Sequence, residues 1–269
     1  MRPTMWWHLF TEPCKSAFQK SHEGRGLTET VEYAKGLGQG TRQGLFRRFV
    51  RAFIHFWSYH LFLRSRRTSV TQVAGFRLTV PPTVFHPKVF LTSKFFANFL
   101  GGLDLSGKHV AEVGCGSGIL SLAAARAGAA SVTAIDINPN AARAAFGNAC
   151  DNGLGDRVRG VCSNLMSGLA QRPLFDVIIT SPPSFPGEPR DLADRAWHAG
   201  PEYRDIKALF NQARERLAPG GVVYLLLSSD SDLDLLGELI HLAHFSARQI
   251  GEQSIYIEDF ILYELRTFS

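Results

Sequence analysis

The sequence has 269 residues, of which 45% are apolar, and its formal net charge is +5 at pH 7. A chain of this length and composition forms one large domain, or a core domain with a smaller attachment. No uninterrupted apolar stretch is long enough to span a bilayer, and residues 1–11 lack the sustained apolar region of a secretory signal, so neither a membrane span nor export is expected.

The four cysteines have no paired metal-ligand spacing. Cys115 lies inside a glycine-rich loop, where a disulfide would disrupt the backbone. We therefore expect free thiols and a cytoplasmic protein. His241 and His244 share a helix face, but no nearby carboxylate completes a set of ligands, so no metal site is expected.

The N-terminal part of the chain is basic. Residues 33–103 contain eleven Lys and Arg and no Asp or Glu, so the rest of the chain carries a net negative charge. Within this run, residues 45–63 predict an amphipathic helix with an arginine-rich side and an aromatic side. Two interpretations of residues 1–69 stay open: a helical lid that covers the substrate and packs on the acidic remainder, or a region that binds an acidic partner or a membrane surface.

A short hairpin is expected next. Residues 70–80 alternate apolar and polar side chains around Ala74-Gly75, which favours two short strands joined by a turn. Residues 70–100 would then link the N-terminal region to a core domain at 101–269.

The core domain begins with a strand at residues 109–113, a glycine-rich loop from Gly114 to Gly118, and a helix at 119–126. Glycines let the backbone turn tightly, so that a ligand can approach the main chain. Asp136 ends the next strand, where a carboxylate suits the diol of a ribose.

Strands and helices continue to alternate after Asp136. Short β-rich runs at 132–136, 158–162, 175–180 and 222–227 are separated by helical patterns at 139–151, 205–217 and 232–244. This order predicts an α/β fold with a doubly wound, mostly parallel sheet.

The glycine-rich loop differs from a dinucleotide-binding loop in two respects. Gly118 follows Gly116 by two positions, whereas the dinucleotide fingerprint requires three. The carboxylate of Glu112 would repel a pyrophosphate but attract an ammonium or sulfonium group. S-adenosylmethionine carries both cations and no phosphate, so it is the predicted cofactor.

Several motifs occur in a fixed order: Glu112 to Gly118, Asp136-Ile137-Asn138-Pro139, Ser163-Asn164-Leu165, and a strand running into Ser181-Pro182-Pro183-Ser184-Phe185. In this order they resemble class I S-adenosylmethionine-dependent methyltransferases, from about residue 76 to the C-terminus. The last motif resembles the Asn-Pro-Pro-Tyr loop of the small-domain group, which includes release-factor glutamine and ribosomal RNA guanine methyltransferases. The resemblance implies a Rossmann-like sheet of seven strands that closes with an antiparallel pair, at residues 247–257 and 260–266.

The resemblance also implies how the cofactor is held. Main-chain groups of the glycine loop would bind the methionine portion, Glu112 its ammonium group, Asp136 the ribose, and Ser163 or Asn164 the adenine. The predicted cofactor-binding residues are Thr92, Glu112, Gly114, Cys115, Gly116, Gly118, Asp136, Ile137, Ser163 and Asn164. Two alternatives stay open, namely that Glu112 only favours the dipole of the following helix and that Asn164 is a turn residue.

Methyl transfer is an in-line displacement at carbon, so a site must align the lone pair of the acceptor with the sulfonium methyl group and exclude water. Ser181, Pro182 and Phe185 are the predicted catalytic residues. The Ser181 hydroxyl and the Pro182 carbonyl would accept the N–H bonds of a nitrogen acceptor. Ser184 replaces the usual aromatic residue after the two prolines, which leaves stacking on a planar acceptor to Phe185. The alternative is a rigid loop without a catalytic role.

Residues 186–201 form a long segment that we interpret as a specificity lid. The predicted acceptor pocket consists of Phe185, Trp197, His198, Tyr203 and Tyr256. His198 is a candidate base for an ammonium or hydroxyl acceptor, and a solvated loop histidine is the alternative.

These features favour an enzyme that methylates a nitrogen of a small-molecule or peptide acceptor. A methyltransferase acting on amino groups of rRNA or DNA is the first alternative, because the basic region would bind phosphates. A small-molecule O-methyltransferase and a cofactor-binding scaffold without turnover are the others.

Overall fold

The computed structural model describes residues 68–84, 91–192, 194–255 and 258–268. Nearly all of the predicted N-terminal region at 1–69, including its amphipathic helix, lies outside these ranges, and so does Tyr256. No helix among the described residues is long and apolar enough to cross a membrane.

The predicted hairpin is confirmed. Strands β1 (Ser69–Val73) and β2 (Phe76–Val80) pair antiparallel, and both residues of the turn, Ala74 and Gly75, have positive φ. Alternate residues of β2 are buried, which is the expected pattern of a strand with one face on a core. Arg126 fixes the turn, since its guanidinium lies 3.7 Å from the ring centroid of Phe76 and donates to the Ala74 carbonyl.

A seven-stranded sheet organises the rest of the described chain. Its elements, in chain order, are α1 (Leu91–Gly101), β3 (His109–Val113), α2 (Ile119–Arg126), β4 (Ser131–Asp136), α3 (Pro139–Asp151), β5 (Val158–Cys162), β6 (Phe175–Thr180), α4 (Arg204–Arg216), β7 (Leu217–Ser228), α5 (Leu233–Leu242), β8 (Phe245–Ile255) and β9 (Glu258–Thr267). The strand order is β5-β4-β3-β6-β7-β9-β8. The first five of these strands are parallel, and β9 pairs antiparallel with both β7 and β8. The predicted doubly wound sheet with an antiparallel C-terminal pair is therefore confirmed.

Buried side chains form one core on each face of the sheet. On β6, Val177 and Ile179 face the core that contains the hairpin, α1, α2 and α3, while Ile178 faces the core that contains α4 and α5. The central strands are thus apolar on both sides, as parallel strands covered by helices are. The hairpin and α1 share their core with α2 and α3, so the described residues of this linking segment, 70–84 and 91–100, pack on the sheet domain. The division between 100 and 101 stays a prediction.

Several boundaries differ from those predicted. Strand β7 starts at Leu217 rather than at residue 222, because Leu217 pairs with Phe175 before a shift in register. Strand β8 starts and ends two residues earlier than predicted, at Phe245 and Ile255, and β9 starts at Glu258 rather than at residue 260. Helix α5 ends at Leu242, so His244 lies outside it. The carboxyl ends of the five parallel strands all lie at one edge of the sheet, which is where open α/β sheets bind their ligands. We call it the carboxyl edge.

Candidate active site

The glycine loop joins the end of β3 to the start of α2 at the carboxyl edge. Gly114 and Cys115 both donate their N–H groups to the Ile135 carbonyl, at 2.9 and 3.0 Å, which fixes the loop against the end of β4. Gly118 has a φ of 80° and precedes the first residue of α2. A Cβ atom on Gly118 would lie 2.7 Å from Cα of Ala145, so α2 and α3 approach this closely only because residue 118 is glycine.

The buried carboxyl group of Glu112 caps the N-terminus of α2. Its Oε2 accepts a hydrogen bond of 2.7 Å from the backbone N–H of Ser121 and a short one from the Ser121 hydroxyl. Gly118 has no side chain with which to cap this helix, so Glu112 takes that role from the preceding strand. Burial raises the pKa of Glu112 to about 8, and the nearby charge of Asp136 acts in the same direction. A cation bound beside Glu112 would favour its ionised form.

Asp136 at the end of β4 holds the glycine loop from the other side. Its Oδ2 accepts the N–H of Gly116 and its Oδ1 accepts the N–H of Asn138, each at 2.9 Å. A carboxylate has about four acceptor positions, so these bonds leave room for further donors such as ribose hydroxyls. Burial raises the pKa of Asp136 above its ordinary value.

The turn after β5 contains the predicted adenine contacts. The Ser163 N–H donates to the Asp136 carbonyl at 2.9 Å, and the Ser163 hydroxyl accepts the N–H of Gly168 at 3.0 Å. Asn164 is exposed, and its carbonyl accepts a bond from the Ser167 hydroxyl at 2.8 Å. Ser163 thus adjoins Asp136 directly, while Asn164 lies further out in the turn.

The other predicted cofactor residues surround this group. Cys115 is buried within the loop, and burial raises the pKa of its thiol well above the ordinary value, so the thiol is neutral and packs as an apolar group. Ile137 is half-buried between Asp136 and Asn138. Thr92 is half-buried in the first turn of α1, and the residues just before α1, 85–90, lie outside the described chain.

A polar residue that sequence reasoning missed, Asn148, connects the hairpin to the glycine loop. Asn148 is buried in the middle of α3. Its side chain accepts from the Thr79 N–H at 2.7 Å, donates to the Thr79 carbonyl at 3.0 Å and donates to the Ser117 carbonyl at 2.9 Å. A buried amide with three bonds of this kind contributes to structure rather than to chemistry.

A second missed residue, Asn138, makes a similar connection. Its side chain caps α3 by accepting the Asn140 N–H at 3.0 Å, and it donates to the Thr83 carbonyl at 3.0 Å. An Asn followed by a Pro at the first helical position is a recognisable sequence signal for a helix start. For Asn148 the sequence contains no such signal, because both of its partners are distant along the chain.

The predicted acceptor loop follows β6 at the same edge. The Thr180 hydroxyl donates to the Val113 carbonyl at 3.0 Å, so the loop begins beside the end of β3. Ser181 is exposed, whereas Pro182 is half-buried. The Tyr203 hydroxyl donates to the Ser184 carbonyl and accepts the N–H of Asp232, both at 3.0 Å. Tyr203 is buried and supports the loop through its backbone, and its place in the acceptor pocket stays a prediction.

The predicted lid folds back on the acceptor loop as a short ribbon. The Phe185 N–H donates to the Trp197 carbonyl at 3.0 Å, and the Ala199 N–H donates to the Phe185 carbonyl at 2.9 Å. A third bond, from the Gly187 N–H to the Gly200 carbonyl at 3.0 Å, extends the ribbon. Phe185, Trp197 and His198, which the sequence assigned to one pocket, are therefore brought together.

Asp194 organises the turn within this lid. Although its side chain is almost fully buried, it accepts three hydrogen bonds from Arg190, one from the backbone N–H and two from the guanidinium, at 2.8 to 3.0 Å. These bonds lower the pKa of Asp194 to about 2, so the carboxylate stays ionised. Nδ1 of His198 lies 3.4 Å from Oδ2 of Asp194. Within the described ranges, no group of three or more His, Cys, Asp or Glu side chains is placed to hold a metal ion.

Residues 91–181 match a family model described as ribosomal protein L11 methyltransferase. The L11 methyltransferases of Aliivibrio fischeri (strain MJ11) and Aeromonas hydrophila are 45% identical to this chain over 78 residues, which is 29% of this chain and 26% and 27% of theirs. The chain thus spans about a quarter of the length of these curated relatives. The family match contains the predicted cofactor residues and ends at Ser181, so the lid is not part of it.

Two solved structures resemble this one in fold. The ribosomal protein L11 methylase of Lactobacillus delbrueckii subsp. bulgaricus has a TM-score of 0.51 at 21% identity, covering 68% of this chain and 82% of that one. The 16S rRNA N2 G1207 methyltransferase of T. thermophilus, in complex with AdoMet and guanosine, has a TM-score of 0.54 at 24% identity, covering 74% of this chain and 50% of that one. Likeness at these identities shows a shared fold.

Proposed function

We propose that this protein transfers the methyl group of S-adenosylmethionine to a nitrogen of a polypeptide acceptor, since residues 91–181 match the model of the ribosomal protein L11 methyltransferase family. The observation that carries the proposal is the convergence of three strand ends. Hydrogen bonds connect Asp136 to the glycine loop and Thr180 to Val113, so the donor and acceptor motifs share one edge.

The donor half of the site would hold the cofactor by its ammonium group and its ribose. The ribose hydroxyls would donate to the lone pairs that Asp136 has left over from Gly116 and Asn138. The ammonium group would lie toward Glu112, whose burial makes ionisation costly unless a cation compensates it. S-adenosylmethionine supplies an electrophilic methyl group on a sulfonium, and the protein supplies its position.

The acceptor half would align a nitrogen lone pair with that methyl group. The hydroxyl of the exposed Ser181 and the carbonyl of Pro182 can accept hydrogen bonds from the acceptor nitrogen, and Pro182 has no backbone N–H that would compete. These hydrogen bonds favour the tetrahedral nitrogen that forms as the N–C bond develops. The exposure of Ser181 leaves room for an acceptor that is part of a large molecule. The relatives are named for a ribosomal protein, and this supports a polypeptide rather than the small molecule that the sequence left equally open.

Transfer of tritiated methyl from S-adenosylmethionine tests the proposal. The purified protein is incubated separately with ribosomal protein L11, with ribosomal RNA and with a mixture of small primary amines, and the products are treated with protease or nuclease. We expect label in the protein acceptor that protease releases and nuclease does not. Label that appears only in RNA or only in small amines would contradict a polypeptide acceptor.

A second candidate is methylation of a nucleic acid, which one observation favours. Residues 33–103 have eleven basic side chains and no acidic one, a distribution suited to phosphate contacts. Most of that run lies outside the described residues. If a nucleic acid is the acceptor, turnover falls steeply as salt is raised from 50 to 200 mM, roughly as expected for several phosphate contacts. A polypeptide acceptor predicts a shallow dependence.

A further inference from the structure

His198 is fixed beside the acceptor loop by the lid ribbon. The backbones of His198 and Phe185 pair as an isolated parallel β-bridge. The centroids of their rings lie 6.5 Å apart. Residues paired in this way present their side chains on the same side of a ribbon. His198 therefore shares a face with Phe185, the aromatic residue of the acceptor loop.

One edge of the His198 imidazole faces a buried carboxylate. Nδ1 is shielded from solvent and lies 3.4 Å from Oδ2 of Asp194, a charge contact without a hydrogen bond, while about a third of the side chain stays exposed. Asp194 is itself immobilised, because Arg190 donates to both of its oxygens and the Asp191 carboxylate accepts its N–H at 2.8 Å. An ionised acceptor on this side favours the tautomer with the proton on Nδ1 and a lone pair on Nε2.

We propose that His198 is the general base that deprotonates the acceptor amine, and that Asp194 is the positioning residue that fixes its tautomer. The proposal rests on the proposed function, and it narrows the acceptor to an amine that is protonated at neutral pH. Such an amine has no lone pair to offer until a base removes a proton, whereas an amide or a nucleobase nitrogen carries no proton of this kind.

The step balances without a further reactant. Nε2 of His198 takes one proton from the ammonium group, which leaves a neutral amine and an imidazolium. The nitrogen lone pair then forms the N–C bond as the C–S bond breaks, and its electron pair stays on sulfur. S-adenosylhomocysteine and a methylated, protonated amine result, and the imidazolium releases its proton to water.

The charged groups around His198 are paired with one another. Arg190 is bonded to Asp194, and two ion pairs join the lid to α4, Glu188 with Arg204 at 3.1 Å and Arg195 with Asp205 at 3.6 Å. Among the described lid residues, Asp194 is the one whose carboxylate forms an ion-pair contact with the His198 imidazole. It stabilises the imidazolium formed during the step.

The test uses the full-length protein and a peptide with one lysine and an acetylated N-terminus as the acceptor. We expect kcat/KM of the wild type to level off well below about pH 10, because His198 supplies the free amine before lysine loses its proton to solvent. In His198→Gln we expect a loss of about 100-fold at pH 7 and a profile that keeps rising toward about pH 10, where lysine becomes a free amine. Asp194→Asn should behave similarly, because an amide can donate to Nδ1 and so move the proton to Nε2. His198→Ala should regain activity when imidazole is added.

The matched control is His109→Gln, which makes the same change at the opposite edge of the sheet, where Nδ1 of His109 lies 2.8 Å from the Ser131 hydroxyl. It should keep the wild-type profile. If His198→Gln and the wild type turn over equally at every pH, His198 is not the general base, while the proposed polypeptide acceptor is unaffected. A wild-type protein that labels no amine while it labels RNA or an amide would overturn the polypeptide amine acceptor, and with it the need for a base.

Discussion

The carboxyl group of Glu112 accepts hydrogen bonds from both the backbone N–H and the hydroxyl of Ser121. This single contact joins the end of β3 to the first turn of α2 and leaves an acid buried beneath the glycine loop. The sequence left two roles open for Glu112, a contact with the cofactor ammonium and a partner of the helix. The structure shows hydrogen bonds from Glu112 to the start of helix α2, and the contact with the cofactor ammonium stays a proposal.

The buried acid makes stability depend on pH. The pKa of Glu112 is raised to about 8 by burial, so the folded protein retains a proton that the unfolded chain loses above about pH 4.5. The free energy of unfolding should therefore decrease as pH rises between these values, by up to about 1.4 kcal/mol per pH unit from this group. Urea unfolding of the wild type and of Glu112→Gln at pH 5 and pH 8.5 measures the free energy of unfolding of each protein. We expect the variant to be the more stable protein at pH 8.5 only, and parallel pH curves would contradict this.

Asp136 should control the affinity for the cofactor. Asp136→Asn removes the charge and replaces one acceptor oxygen by an NH2 donor, and we expect the Kd for S-adenosylmethionine to rise by on the order of 100-fold. Isothermal titration calorimetry measures this change. Asp176→Asn makes the same substitution at the amino end of β6, where the carboxylate accepts the His109 N–H, and it should leave the Kd unchanged. An unchanged Kd in Asp136→Asn would remove the ribose assignment.

Gly118 should tolerate no side chain. Gly118→Ala combines a positive φ with a Cβ placed 2.7 Å from Ala145, and we expect it to destabilise the fold by about 3 kcal/mol or more. Gly107→Ala is the control, because Gly107 has a similar φ of 72° and no atom within 4 Å of its added Cβ. It should cost only about 1 kcal/mol. Equal losses in thermal unfolding would show that backbone strain alone accounts for the effect.

Asn148 should hold the hairpin to the domain. Asn148→Ala removes three buried hydrogen bonds, so we expect a loss of about 2 to 4 kcal/mol and faster hydrogen exchange in β2. Asn152 bonds to the N–H and carbonyl of Arg77 in the same pattern one turn later, but at an exposed position. Asn152→Ala should cost less than about 1 kcal/mol. If hydrogen exchange in β2 is equally fast in the two variants, the burial of Asn148 does not explain its contribution to stability.

Ser181 should affect turnover more than cofactor affinity. Ser181→Ala removes a hydroxyl that would contact the acceptor only as the new bond forms, so we expect kcat to fall about tenfold while the Kd for S-adenosylmethionine stays the same. Ser167→Ala, in the turn after β5, is the control for a change of the same size elsewhere on this edge. Unchanged kcat in Ser181→Ala would leave only backbone groups to orient the acceptor.

Local signals explain what the sequence predicted well. The strands at 109–113 and 175–180 are short apolar runs bounded by glycine, proline or charge, and the structure has them with those bounds. Asp136 was identifiable because its position after a strand has chemical meaning. Ser121, Asn148 and Tyr203 were not identifiable as partners, since their contacts depend on how strands, helices and loops pack and not on a local sequence motif. The pairing of Phe185 with His198 is of the same kind.

The Tyr203 hydroxyl has a consequence for how this protein can change. By bonding the Ser184 carbonyl it brings the two ends of the lid together at one point of the sheet edge. A segment whose ends meet in this way can be lengthened, shortened or exchanged without moving β6 or α4. Under the proposed function, acceptor preference could therefore be redesigned by grafting a foreign segment between these anchors, while the predicted cofactor-binding residues stay unchanged.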